Sequence, residues 1–204
     1  MYSALVAGSG TVLTIFAYTR ALLELLVART KSLNVGDGSQ AGVEMGPLVT
    51  SDHCQRVTGY VEKGVAEGAV PLVDGRQNKP SDGYFLGPTI FDHVTPQMTI
   101  AREEIFGPVL SVMRVGTLDD AIELVNRSPF GNATAIFTSS GRSAREYSSR
   151  CEVGMVGVNV GVAAPMAFFP FAGWKNSFFG DLHAHGKDAV AFYTEQKVIM
   201  SRWF

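Results

Sequence analysis

A chain of 204 residues with 46% hydrophobic and 18% charged side chains is long enough for one substantial core and has an ordinary globular balance. Its net charge of −2 gives no electrostatic claim on nucleic acid or an anionic membrane surface. The two cysteines, Cys54 and Cys151, are far apart in sequence and form no framework of bridges, which fits a reducing, cytoplasmic compartment (the mitochondrial matrix in a eukaryote).

Met1 to Thr19 carries no charge. No basic residue precedes the run, as a secretory signal requires, and Ser3, Gly8, Ser9, Gly10, Thr11 and Thr14 interrupt it too often for a membrane span. A buried strand leading into a helix is the expectation. Leu22, Leu23, Leu26 and Val27 recur at helical spacing within Arg20 to Lys31, and Gly36-Asp37-Gly38-Ser39 stops that helix. Ser51 is placed to cap a second helix with Val57, Tyr60, Val61 and Val65 on its apolar face. Ala69 to Val73 reads as a strand ended by the Asp74-Gly75 turn, and Gln77 to Gly83 as a surface loop. Val109 to Val115 is a strongly apolar strand. Thr117-Leu118-Asp119-Asp120 opens a helix with a capping box in which Asp replaces the usual Glu or Gln, carrying Ile122, Leu124 and Val125 and ending near Pro129. Ala133 to Thr138 is a strand, Ser143 to Cys151 a short helix, and Met155 to Val160 another strand. Strands and helices in alternation, with strands apolar along their length, predict an α/β fold with a parallel-type sheet flanked by helices. Phe192 to Phe204 has no helical stripe and reads as a terminal strand that pairs with a partner.

Chemistry concentrates at Arg102-Glu103-Glu104-Ile105-Phe106-Gly107-Pro108-Val109. A carboxylate has two acceptor oxygens and can hold the paired hydroxyls of a ribose. In an extended segment, Phe106 points to the same side as Glu104 and offers a ring for a second ring to pack against. The alternative is a charged loop entering a buried strand. Neither cysteine reads as a nucleophile: Cys54 and His53 are adjacent on a helix and point in different directions. His183-Ala184-His185 fits a solvated loop better than a metal site, and no zinc-like spacing joins histidine to cysteine.

Several motifs occur in one order. They are Gly46-Pro47-Leu48, Gly87-Pro88-Thr89-Ile90, the Glu103-to-Pro108 run, Asn126 through Phe130-Gly131-Asn132, Thr134 to Thr138, Gly157-Val158-Asn159 and Phe171-Ala172-Gly173-Trp174-Lys175. In that order they resemble the C-terminal portion of aldehyde dehydrogenases, from about Lys31 to Phe204. Gly180-Asp181, and Pro165 through Phe171, resemble the CoA-acylating methylmalonate-semialdehyde (malonate-semialdehyde) subgroup. Another aldehyde dehydrogenase subgroup remains open at this point.

The resemblance implies an NAD-dependent oxidation of a small semialdehyde with CoA as acyl acceptor. A cysteine thiolate attacks the aldehyde, hydride leaves for the nicotinamide, CoA takes the acyl group and carbon dioxide is lost. Glu104 would hold the nicotinamide ribose and Phe106 would pack against the cofactor. Phe168, Phe169 and Phe171 would wall the substrate pocket, with core packing as the alternative for Phe168 and Phe169. The family's nucleophilic cysteine would fall near position 7, where Ala7 stands, and its dinucleotide-binding domain would precede this segment. No G-x-G-x-x-G follows a strand here, since Gly8-Ser9-Gly10 lacks the third glycine. These residues alone are therefore expected to lack turnover. The implied organisation is a partial catalytic domain over 1–190 and an oligomerisation strand over 191–204, giving a homodimer or tetramer. The alternative is a non-catalytic truncated paralogue that acts as an interaction module through the same strand.

Overall fold

The computed structural model describes residues 3–8, 11–16, 20–77, 80 and 82–204, with the side chains of 3–8, 11–16 and 20 left aside. Met1, Tyr2, Ser9, Gly10 and Ala17 to Thr19, which belong to the expected N-terminal strand, lie outside the described residues, as do Asn78, Lys79 and Ser81 of the polar loop.

Among the described residues the main sheet has seven strands: β1 (Ser3–Gly8), β2 (Thr11–Phe16), β3 (Val70–Val73), β4 (Thr89–Asp92), β5 (Val109–Arg114), β7 (Ala133–Phe137) and β8 (Met155–Val158). Their order across the sheet is β3-β4-β5-β2-β1-β7-β8. The expected parallel sheet is in fact mixed. Strand β5 runs parallel to both β4 and β2, and β7 runs parallel to β8. The other pairings, β3 with β4, β1 with β2 and β1 with β7, are antiparallel. The uncharged N-terminus thus supplies two central strands rather than one. It joins a three-stranded half to a two-stranded half. A short second sheet pairs β6 (Phe130–Gly131) with β9 (Trp174–Lys175).

Helices cover both faces, as parallel strands require. Helix α1 (Arg20–Lys31) lays Leu23 against Ile90 and Val112. On the opposite face α2 (Ser51–Ala66) and α3 (Thr99–Arg102) bury Val57, Val61 and Ile100 with Phe91, Val109 and Met113. Successive residues Ile90 and Phe91 point to the two sides, so β4 is buried on both faces although only four residues long. Helices α4 (Leu118–Arg127) and α5 (Gly141–Arg150) close a second core of Ile122, Val125, Ile136, Tyr147, Cys151 and Val153. No helix among the described residues is long and apolar enough to cross a membrane.

Local chemistry sets the helix ends. The expected capping box is present: Thr117 accepts from the Asp120 amide, and Asp120 accepts from the Thr117 amide. Thr50, not Ser51, caps α2 by accepting from the His53 amide at 3.1 Å. Val65 does not join the α2 core stripe, being 42% exposed. Gly64 fills that position, because any Cβ there would meet Ile100 and Phe91 at about 3 Å. Phe192 and Tyr193 end helix α6 (Gly186–Tyr193), so they are not part of a terminal strand. Residues 194–204 follow without a ladder among the described residues, and Val198 to Met200, Trp203 and Phe204 are exposed.

Candidate functional site

Helix α2 organises the Glu103-to-Gly107 segment. His53, Val57 and Tyr60 stand at i, i+4 and i+7, which puts them on one helix face. The Tyr60 hydroxyl donates to Glu103 Oε2 at 2.9 Å, a bond that holds the phenol above its usual range. His53 Nε2 meets the Phe106 carbonyl at 2.8 Å. Val57 lies against Gly107, where a Cβ would come within 2.6 Å of a Val57 methyl. Between these contacts Ile105 is driven into the core and is 1% exposed.

This clamp separates the two carboxylates. Glu103 is tied to Tyr60. Glu104 faces solvent, and among the described residues its carboxylate makes no hydrogen bond or ion pair. Phe106 is 63% exposed and has φ of 56°, so the segment turns there instead of staying extended as expected. A left-handed backbone costs a side-chain-bearing residue on the order of 1–3 kcal/mol, and such strain concentrates at functional sites. Beside the ring lies an open cleft of about 450 Å³ lined by Gly46, Pro47, Leu48, Leu86, Phe106 and Pro108. Two motifs sixty residues apart in the chain therefore meet at one apolar surface, and Glu104 stands two residues before Phe106 in the segment that borders it. That set can accept two hydroxyl donors and pack a flat ring, the chemistry a nicotinamide ribose needs.

The second group of candidates is separate. Phe168, Phe169 and Phe171 are 66%, 55% and 36% exposed, so core packing does not occur here. Phe168 and Phe169 rest on each other with ring centroids 4.7 Å apart, and Phe171 meets His185 edge-on at 6.0 Å. None of the three lines the Phe106 cleft. His183 bonds Asp188 at 3.1 Å and stacks on Phe178.

The cysteines are poorly placed as nucleophiles, which must ionise and reach a substrate. Cys151 is 5% exposed, and burial pushes its thiol up to about 11. Cys54 is half-buried with Sγ directed at the Phe85 carbonyl.

Other motif residues prove to be staples. The Asn126 amide bonds both the Arg150 carbonyl and the Glu152 amide at 2.8 Å. Lys175 Nζ donates to the Asn126 and Ser128 carbonyls at 2.8 and 3.2 Å, closing the end of α4. Asn159, with φ of 57°, uses its side chain to pair both backbone groups of Thr138. The sequence offers His53 only as a neighbour of Cys54; its contact with Phe106 had no signal but its spacing from Val57 and Tyr60.

A profile of the aldehyde dehydrogenase family matches residues 12–199, beginning within β2 and so ahead of the Lys31 at which the motif resemblance starts. The chain belongs to the aldehyde dehydrogenase family. It is 52% identical over 184 residues to malonate-semialdehyde dehydrogenase 1 of Geobacillus thermodenitrificans, covering 89% of this chain and 38% of that protein. The crystal structure of methylmalonate-semialdehyde dehydrogenase from Oceanimonas doudoroffii superposes with a TM-score of 0.87 at 47% identity, over 90% of this chain and 38% of that one. A Mycobacterium tuberculosis aldehyde dehydrogenase complexed with NAD+ gives a TM-score of 0.79 at 34% identity, over 87% of this chain and 36% of its own length. The chain thus spans about two fifths of the proteins it resembles.

Proposed function

We propose that this chain is the C-terminal segment of an NAD-dependent, CoA-acylating malonate- or methylmalonate-semialdehyde dehydrogenase. The observation that carries this reading is the solvent-facing Glu104, unpaired among the described residues, two residues before the exposed, left-handed Phe106 that lines the apolar Pro47–Leu48 cleft. The 52% identity to a malonate-semialdehyde dehydrogenase supports the substrate class.

When bound, NAD accepts the hydride from the substrate carbon, and CoA receives the acyl group. The chain's own residues bind and orient. Glu104 accepts from the ribose hydroxyls, Phe106 packs against the cofactor, and α2 keeps both in place so that hydride transfer is not lost to misorientation. Phe168, Phe169 and Phe171 form one wall of a substrate pocket whose remaining walls lie outside these residues, and their apolar surface excludes water there. The extended residues 194–204 pair with a sheet edge in a homodimer or tetramer. These residues alone have no turnover, because Cys151 is buried and Cys54 is half-buried with its Sγ turned to the Phe85 carbonyl.

A titration of the chain with NAD+ or nicotinamide mononucleotide, followed by amide NMR shifts, tests the reading. Binding at one end of a dinucleotide is expected to be weak, with Kd on the order of 1 mM. Shifts centred on Glu104 and Phe106, lost in Glu104→Gln, are the expected result. Shifts elsewhere, or none at those residues, would sink it.

A further inference from the structure

We infer that His53 is a positioning residue for this site, acting as a latch on the Phe106 carbonyl in one fixed tautomer. The inference rests on the assignment of Glu104 and Phe106 as the ribose shelf. The two ring nitrogens of His53 have partners of opposite kind. Nε2 faces the Phe106 carbonyl oxygen at 2.8 Å, which can only accept. Nδ1 faces Arg56 Nη2 at 3.0 Å, which can only donate. The only assignment satisfying both is the neutral ring with its hydrogen on Nε2. Arg56, one turn further along α2, therefore selects the tautomer that donates to Phe106.

The latch holds the carbonyl at the turn itself. Phe106 is left-handed, and the residue after it is a glycine packed on Val57, which brings no side chain of its own to fix the turn. Ile105 fixes the other side from within the core. The carbonyl of Phe106 is thus the point at which the shelf can relax, and its bond to His53 joins it to a sixteen-residue helix capped at Thr50. The Phe106 ring also approaches the imidazole, with centroids 6.3 Å apart.

The test uses the full 204-residue chain with His53→Leu and His53→Gln. Gln keeps an N–H donor of similar reach, and Leu keeps bulk without one. Long-range proton–nitrogen NMR of the parent chain should show the hydrogen on Nε2. Backbone couplings and carbon shifts should report a left-handed Phe106 in the parent and in His53→Gln, and its loss in His53→Leu, with both variants melting like the parent. Affinity for nicotinamide mononucleotide should fall about fivefold in His53→Leu, as one hydrogen bond's net contribution implies, and recover in His53→Gln. A left-handed Phe106 in His53→Leu, or a parent ring carrying its hydrogen on Nδ1, overturns the latch. If Phe106 relaxes in His53→Leu while nucleotide affinity stays at the parent value, the latch stands and the ribose-shelf reading fails.

Discussion

The segments 103–107 and 166–171 both present aromatic rings to solvent, yet they are held in opposite ways. In the first, every residue but one is engaged from beneath. Tyr60, His53 and Val57 take Glu103, Phe106 and Gly107, and the core takes Ile105. Only Glu104 is left without a partner among the described residues. In the second, the rings of Phe168 and Phe169 rest on each other and remain more than half exposed. The difference separates two kinds of functional surface. The shelf is preorganised by this chain's own packing and can be tested within it. The aromatic wall has its backbone tied to Ala184 and Gly186, but its rings form an apolar face left for other protein or a ligand to cover.

The largest effect should come from removing the anchor of the shelf. Ile105→Ala deletes a fully buried side chain in the largest core cluster and should cost about 3 kcal/mol, within the usual range for such truncations. Urea unfolding monitored by tryptophan emission measures it. A loss under about 1 kcal/mol would mean that Ile105 does not pin the shelf.

Next in size is the joint between the body and the aromatic segment. Gly154 lies against the backbone of Ala172, and a Cβ there would sit 2.4 Å from that carbonyl oxygen. Backbone cannot rotate aside as a side chain can, so Gly154→Ala should cost about 2 kcal/mol and release residues 172–175 from the turn before β8. Hydrogen exchange should rise at Asn176, whose amide bonds Pro129 at 3.0 Å, while amides of β4 and β5 stay protected. Uniformly faster exchange would mean the two regions are a single cooperative unit. Lys175→Met removes the donor to the last carbonyls of α4 and should cost about 1 kcal/mol, seen as fraying of α4 with the sheet intact.

What could be read in the sequence, and what could not, divides along similar physical lines. Features fixed by near neighbours were legible: the Thr117–Asp120 capping box and the apolar β5. Strand direction was not legible, because an apolar run buried on both faces looks alike in parallel and antiparallel ladders, so the mixed sheet and the N-terminal hairpin were missed. Strand β4 escaped because four residues after Gly-Pro carry too little pattern. The division of labour between Glu103 and Glu104 depends on Tyr60, forty-three positions away. The left-handed turn at Phe106 depends on His53 and on Gly107 packing against Val57, contacts that residue type cannot announce. At the C-terminus, the local helical preference of Gly186–Tyr193 prevailed over a strand reading that began at Phe192.

The smallest expected effect is the most telling for the second region. Phe168→Ser and Phe169→Ser each exchange a large ring for a hydroxyl, a change that costs several kcal/mol in a packed core. Here both rings are more than half exposed, so little apolar area is returned to water. Each substitution should shift stability of this chain by no more than about 0.5 kcal/mol, while lowering its tendency to self-associate in light scattering. The mutual contact at 4.7 Å adds only a small coupling, which the double variant measures directly. A loss comparable to that of Ile105→Ala would show the rings to be core, and the wall of a substrate pocket would have to be sought elsewhere. Neutrality in stability leaves these rings as surface kept for something other than folding, the property that distinguishes a binding wall from packing.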